Sequence, residues 1–297
     1  MKRILLQLDT DFHPSSFDTI VAYDGGAEVV LNYGQVNTGN VRPLVEGAIF
    51  TRPPSRKRLT AIFIGGRDVE RGERLFMAVK RIFFGDFQVS VMFDPNGCNT
   101  TAAAAVVQIL ASIPDLRERT VVVLAGTGPV GQRVAALLAK LGARVAITSR
   151  FRDKAVRTAV RLRERFGVEV TPIEAKENEA RAEAIREAEI VVATGKAGVQ
   201  LLEERHWRDL PKLKLLLDAN ATPPYGIEGV EPGDRGGQRE GKIVWGALGF
   251  GTLKLQIHKR CIAKLFEQND LLLDLEEIFE VAREIAEGDR PSMRGGA

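Results

Sequence analysis

Cysteine is nearly absent: Cys98 and Cys261 are the only two in 297 residues, and they form no C-x-x-C pair. That argues against a disulfide framework or a cysteine-held structural zinc, and makes a reducing cytoplasm the expected compartment. Histidine is scarce too. His13, His206 and His258 stand far apart, none in an H-E-x-x-H or similar spacing, so no metal site is expected. No apolar run reaches the roughly 18 residues a membrane helix needs, and the opening Met1-Lys2-Arg3-Ile4-Leu5-Leu6 turns polar too soon for a signal peptide. No membrane partner is expected. Nor is there an excess of one charge: 42 Lys and Arg against 39 Asp and Glu leave +3. Basic residues are spread among acidic ones, as from Arg181 to Glu189, and read as solvated helix faces, so nucleic acid is not an expected partner. No G-x-S-x-G elbow is present and neither cysteine has an activating neighbour, which argues against the common nucleophilic hydrolases.

What is present is a globular composition, 44% hydrophobic and 27% charged, on a chain long enough for two domains. Short β-rich runs alternate with helical patterns, which predicts an α/β protein with mostly parallel sheets. Strands are expected at Arg3–Asp9, Thr60–Gly65 and Val89–Asp94. The clearest early helix is Glu70–Phe84, where Leu75, Phe76, Val79, Ile82 and Phe83 recur at helical spacing. Thr51 to Arg58 reads as a loop, because Pro53 and Pro54 fit inside neither regular element. Its four basic residues are either solvated or hold an anionic substrate tail. A helix follows at Asn99–Ile113, and Pro and charge then interrupt the pattern near 114–119.

Beyond that point strands are expected at Thr120–Ala125, Arg144–Thr148, Glu169–Ile173, Ile190–Thr194, Leu213–Asp218 and Lys242–Trp245, the rhythm of a doubly wound Rossmann-type sheet. Two helices, about Thr252–Gln268 and Asp274–Glu287, close the chain. The expected layout is therefore an N-terminal α/β domain over 1–115 and a dinucleotide domain over 116–250. Helices packing between domains would occupy 251–287, with a flexible tail over 288–297.

The strongest motif is Gly126-Thr127-Gly128-Pro129-Val130-Gly131, which follows an apolar strand and opens a helix. Gly126 permits the tight turn, Gly128 lets backbone approach a pyrophosphate, and Gly131 lets helix pack close to strand. Pro129 suits a first helical turn, where no N–H donor is needed. The helix N-terminus offers N–H groups and partial positive charge to the phosphates. The next strand decides the dinucleotide. It ends Thr148-Ser149-Arg150-Phe151-Arg152, with no acid to accept from a ribose 2′-hydroxyl. Arg150 and Arg152, with the hydroxyls of Thr148 and Ser149, instead suit a 2′-phosphate, which favours NADP over NAD. Thr194-Gly195 and Asn220 end later strands at the same rim and are expected beside the nicotinamide half.

No proton-transfer dyad is evident in sequence. Ser149-Arg150-x-x-x-Lys154 can mimic a shikimate-type carbonyl reductase, but a Lys–Asp acid–base pair has no clear counterpart. A non-catalytic NADP-binding sensor is the reading of a different class. A hydride transfer needing no general acid or base fits the residues best.

Three further segments carry a resemblance. Asp9-Thr10-Asp11 with Pro14-Ser15-x-Phe17-Asp18 and Tyr23-Asp24-Gly25-Gly26-Ala27 is the first, and Asp94-x-Asn96-Gly97-x-Asn99-Thr100-Thr101-Ala102 the second. The third is Gly246-Ala247-Leu248-Gly249-x-Gly251-x-Leu253-Lys254. Together with the glycine motif, and over about 3–286, the chain resembles the NADP-dependent methylene-tetrahydromethanopterin dehydrogenases. The resemblance implies oxidation of a methylene bridge between two pterin nitrogens to methenyl, with hydride given to NADP in a cleft formed by the two domains. It implies a reduced pterin as partner, and a homo-oligomer. Tetrahydrofolate as the carrier is a close alternative. Asp18, Tyr23 and Asp24 match the family's substrate segment, where a ring can stack on the pterin and a carboxylate accept from its N–H groups. Asp18 also reads as an ordinary carboxylate at a helix N-terminus. Asn96 and Asn99-Thr100-Thr101 read either as a helix start facing substrate or as a plain cap. Lys254 either orients substrate or lies along the surface. No tyrosine is followed four residues on by lysine, so the cyclohydrolase activity of related folate enzymes is not expected.

Overall fold

The structure, a computed structural model, describes residues 1–288, so the tail expected from 288 onward lies, apart from Gly288, outside the described residues. In chain order the first elements are β1 (Ile4–Asp9), α1 (Ser16–Asp24), β2 (Val29–Tyr33), α2 (Val41–Phe50), β3 (Thr60–Gly65), α3 (Val69–Ile82), β4 (Ser90–Phe93) and α4 (Cys98–Ser112). Then come β5 (Thr120–Leu124), α5 (Pro129–Lys140), β6 (Arg144–Ser149), α6 (Arg152–Phe166), β7 (Thr171–Glu174), α7 (Asn178–Ile185), β8 (Ile190–Ala193) and β9 (Leu215–Asp218). A hairpin of β10 (Arg235–Arg239) and β11 (Lys242–Gly246) leads to α8 (Ala247–Lys264), β12 (Leu272–Leu273) and α9 (Leu275–Gly288).

Two compact units result. One comprises residues 1–100 with 254–288, the other 101–253. The division falls inside α4 and α8 rather than near 115 and 250, because both helices run on without a break. Residues 254–288, expected as helices between domains, group with the first unit: β12 pairs with β4 and extends its sheet.

The first unit is a parallel five-stranded sheet in the order β12-β4-β3-β1-β2. β3 and β4 are buried along their whole length, as a strand covered on both faces must be. Asp9, Gly65 and Asp94 all stand at the carboxyl ends of strands here. Strand β2, which the apolar pattern does not announce, is a half-exposed edge. The loop expected over 51–58 is largely a 3-10 helix, Pro54–Leu59, with Pro54 at its first position, where a missing N–H costs nothing. Nor is it uniformly solvated: Lys57 is buried, its Nζ donating to the Asp86 carbonyl at 2.7 Å and lying 3.7 Å from the centre of the Phe87 ring.

The second unit has seven strands in the order β10-β11-β9-β8-β5-β6-β7. Apart from the antiparallel hairpin strand β10, this is the doubly wound order with its switch between β5 and β8. The hairpin turns through Glu240 and Gly241, both at positive φ (46° and 72°), the conformation a two-residue hairpin loop demands.

Candidate active site

The cofactor candidates gather at the switch point. After β5 the chain turns through Ala125, at φ 52°, a left-handed conformation that a residue with a Cβ rarely holds. Its N–H donates to Thr148 Oγ1 at 3.0 Å, tying the glycine turn to β6. Thr194, just past β8, ties it from the other side, with Oγ1 donating to the Leu124 carbonyl at 3.1 Å. The glycines divide their labour. A Cβ on Gly131 would lie 2.5 Å from Thr194 Oγ1 and 2.7 Å from Gly126 Cα, so glycine is required for α5 to pack on the turn. A Cβ on Gly128 would meet nothing nearer than 3.8 Å. Gly128 is the N-cap of α5 and Pro129 its first residue, leaving Val130 and Gly131 N–H groups at a helix start. Room at Gly128, and donors beside it, suit a pyrophosphate. Thr127 is half-buried, its carbonyl accepting from Gln132 Nε2 at 2.9 Å.

At the tip of β6, Thr148 and Ser149 are buried. Thr148 holds the turn, and Ser149 Oγ accepts from the Phe151 N–H at 3.2 Å. Arg150 and Arg152 are exposed, and neither forms an ion pair among the described residues. Two free guanidiniums flank the strand end where NAD sites carry an acid.

The other rim residues are built into the fold. Thr194 turns its hydroxyl toward the glycine turn, and Gly195 packs on Leu201. Asn220 is buried and fully engaged: Nδ2 donates to the Pro224 carbonyl at 3.1 Å and Oδ1 accepts from the Thr222 N–H at 2.9 Å, fixing a loop that contains a cis Pro223–Pro224 bond. Asp218 beside it accepts from the N–H groups of Asn220 and Ile227, and burial raises its carboxyl to about 6.

In the first unit the substrate candidates separate into two groups. Asp18 lies in the first turn of α1, capped by Ser15, and keeps 7% exposure. Lys254, half-buried in α8, has Nζ 4.4 Å from the centre of the Phe17 ring and 3.3 Å from where a Cβ of Gly97 would stand. Its charge acts on both Asp18 and Asp94. Burial, then the Asp94 charge, raises Asp18 to about 6.

Tyr23 and Asp24 do not join them. Five helical residues turn Tyr23 about 140° away from Asp18. The end of α1 meets a later part of α8: Asp24 pairs with Lys259 at 2.7 Å, and Gly25 packs on Ile262. Asn96, exposed and at φ 55°, stands in the bend before α4. Asn99 and Thr100 have no exposure and serve the protein itself. Asn99 Nδ2 donates to the Phe93 carbonyl at 2.6 Å and to Asp274 Oδ1 at 3.1 Å, and Thr100 Oγ1 donates to Asp94 Oδ2 at 2.6 Å. Thr101, half-buried, opens the second unit.

Asp94, which heads the second resembling segment, is one residue to which sequence reasoning gives no role of its own. It accepts from the N–H groups of Asn99 (2.8 Å) and Thr100 (3.1 Å), so the Asp-x-Asn-Gly-x-Asn-Thr run is a carboxylate-capped helix start. His258, one turn beyond Lys254, is the other. It is fully buried against Phe63, with ring centres 5.3 Å apart, and neither ring nitrogen finds a hydrogen-bond partner among the described residues. Burial, and secondarily Lys254, lower it to about 3, so it is neutral. A lysine beside two aspartates does exist, although sequence showed no such pair, because α1, β4 and α8 come together only in the fold. Among the described residues no cluster of His, Cys, Asp and Glu is arranged to hold a metal, and no helix is long and apolar enough to cross a membrane.

Comparison with known proteins bears on this arrangement. A family model described as methylene-tetrahydromethanopterin dehydrogenase, N-terminal, matches residues 16–96. Two relatives from Methylorubrum extorquens match almost end to end. One, described as bifunctional protein MdtA, is 47% identical over 286 residues, covering 96% of this chain and 99% of its own. The other, an NAD(P)-dependent methylenetetrahydromethanopterin dehydrogenase, is 32% identical over 302 residues, covering 96% and 100%. Among solved structures, the quinate dehydrogenase of Corynebacterium glutamicum in complex with NAD superposes with a TM-score of 0.52 at 14% identity, over 95% of this chain and 99% of that one. The shikimate dehydrogenase of Aquifex aeolicus gives 0.50 at 16%, over 97% and 98%. Identities this low speak to the α/β fold alone. The near-complete matches at 47% and 32% go further: the chain belongs to the methylene-tetrahydromethanopterin dehydrogenase family.

Proposed function

We propose that the protein oxidises the methylene bridge of 5,10-methylene-tetrahydromethanopterin to the methenyl level and gives the hydride to NADP. The observation that carries this is the 32% identity, over nearly the whole chain, to an NAD(P)-dependent enzyme of that description. The site chemistry agrees with it. Bound NADP supplies the hydride acceptor. The turn from Gly126 to Gly131 takes the pyrophosphate at a helix N-terminus, and Arg150 and Arg152 meet the 2′-phosphate, with NAD a weaker alternative. In the first unit, Asp18 and Lys254 hold the reduced pterin. Loss of hydride leaves a cation shared by two nitrogens and moves no proton, so binding and orientation are the chain's main task. The open room at Gly128 and the unpaired arginines at β6 support the cofactor half of this reading.

We also infer a cytoplasmic homo-oligomer. Two buried free cysteines suit a reducing compartment. Phe50, Phe84 and Phe87, all exposed and packed on one another with ring centres 5.0–6.1 Å apart, suit a contact between copies.

The test is direct. The protein is mixed with formaldehyde-loaded tetrahydromethanopterin and NADP, and NADPH and methenyl absorbance are followed together. Both should rise in equal amounts. A parallel run with tetrahydrofolate ranks the carriers, and no signal with either removes the proposal.

A further inference from the structure

Hydride loss turns a neutral methylene bridge into a cation, so groups facing that carbon meet a positive charge that was not there before. The first unit collects negative charge at one end of its sheet. Asp9 ends β1, Asp18 stands in the first turn of α1, and Asp94 follows β4. A Cβ on Gly65 would lie 3.3 Å from Asp9 Oδ2 and 3.6 Å from Asp18 Oδ2, so these two carboxylates share a corner. The Asp94 charge reaches Asp18 from β4, and Lys254 reaches both from α8. His258, next along α8, adds no charge, since it is buried and neutral. Arg67, the other cation nearby, is engaged with Asp11 at 2.9 Å and acts on Asp9. Asp18 and Asp94 share one ammonium, and Asp9 adds its charge beside Asp18.

We propose that Asp18, backed by Asp94 and Asp9, is a catalytic carboxylate that stabilises the methenyl cation electrostatically as hydride leaves. This rests on the reading that the chain acts on a methylene-bridged reduced pterin. Asp18 is the member that can meet a ligand, because it keeps 7% exposure while Asp94 has none and is engaged by Asn99 and Thr100. The step is balanced without it. A methylene C–H bond breaks and its electron pair and hydrogen pass to the nicotinamide. The one-carbon unit is oxidised, NADP is reduced, and no proton or atom moves to Asp18. Its contribution is charge alone, present once the carboxyl ionises. Burial first and the Asp94 charge second place that ionisation at about pH 6, with Ser15 and Lys254 opposing.

The experiment compares affinities, without NADP, for two forms of the carrier: the methenyl cation and neutral tetrahydromethanopterin. Asp18→Asn removes the charge and keeps the shape. It should weaken binding of the cation at least ten-fold more than binding of the neutral form, and lower kcat for oxidation ten-fold or more. In wild type the preference for the cation should grow as pH rises from 5 to 7, and in Asp18→Asn this growth should vanish. Equal weakening of both forms would overturn the proposal and leave Asp18 a hydrogen-bond partner of the ring. Lys254→Met supplies a second readout. Without the ammonium the preference should develop at higher pH, and an unchanged midpoint would also overturn the proposal. Wild-type protein that binds neither form would instead remove the function itself. Unchanged NADP affinity and melting serve as the folding control for both variants.

Discussion

Gly128 and Gly131 stand three residues apart in one turn, yet the structure gives them opposite sensitivities. A methyl on Gly128 meets nothing closer than the Ala125 carbonyl oxygen at 3.8 Å and that of Thr194 at 4.0 Å. The backbone there, φ −78° and ψ 168°, is one that alanine adopts freely. Gly128→Ala forfeits glycine's tolerance at a helix N-cap, about 1 kcal/mol. It regains about 0.4–1 kcal/mol from a stiffer unfolded chain. The terms nearly cancel, so Tm should stay within about 3 °C of wild type. The methyl does fill the approach of a pyrophosphate, and crowding a close contact costs about 1–3 kcal/mol, or about 5- to 150-fold in the NADP Kd. At Gly131 the same methyl lands 2.5 Å from Thr194 Oγ1 and 2.7 Å from Gly126 Cα. Backbone cannot step aside, and Gly131→Ala should lose about 1–3 kcal/mol of stability. Thermal melts with and without NADP, joined to calorimetric titration, read both effects. Wild-type NADP affinity in Gly128→Ala would mean that the dinucleotide does not cross this turn.

Two further outcomes follow from the same geometry. Arg150→Ala removes an exposed guanidinium that has no ion pair among the described residues, so stability should hold while the KM for NADP rises about 10- to 100-fold, the worth of a charge-assisted contact, and the KM for NAD hardly moves. Equal effects on the two cofactors would sink the 2′-phosphate assignment. His258→Phe bears on acid stability. A histidine held down to about 3 in the folded chain costs stability as pH falls from the unfolded value near 6.5 toward 3, at about 1.4 kcal/mol per pH unit. The phenylalanine variant should therefore keep more of its Tm between pH 6 and 4 than wild type does, and parallel losses over that window would refute the burial argument.

The parts of this molecule legible in sequence are those set by local rules. The turn from Gly126 to Gly131 has its meaning in six residues, because tight turn, helix start and strand packing are all short-range demands. Long strands buried on both faces, such as β3, announce themselves as apolar runs. Edges do not: β2 is half-exposed, and β10 carries Gly236 and Gly237 where a strand signal needs side chains. The buried state of Lys57 depends on a carbonyl 29 residues away. Tyr23 and Asp24 were grouped with Asp18 because they are close in sequence, but helical rotation separates them. Asp94 and His258 receive no role from sequence for the complementary reason, since neither has its neighbours until α8 is laid beside β3 and β4.

That late-arriving constellation also bears on the chemistry. A lysine beside buried aspartates is what a carbonyl reductase would use to protonate an alkoxide. The surroundings here favour another use. Asp94 has no exposure, and burial raises its carboxyl above the ordinary value; the Lys254 charge and the hydrogen bonds from Thr100 and Asn99 oppose that rise and occupy its oxygens. His258, which feels the Lys254 charge, is held neutral by burial and is a poor proton carrier at any pH near 7. What such a cluster does well is hold fixed charge in a region poor in water, where a charge acts more strongly than in solution. A reaction that creates a cation and moves no proton makes use of that property, and one that must deliver a proton does not.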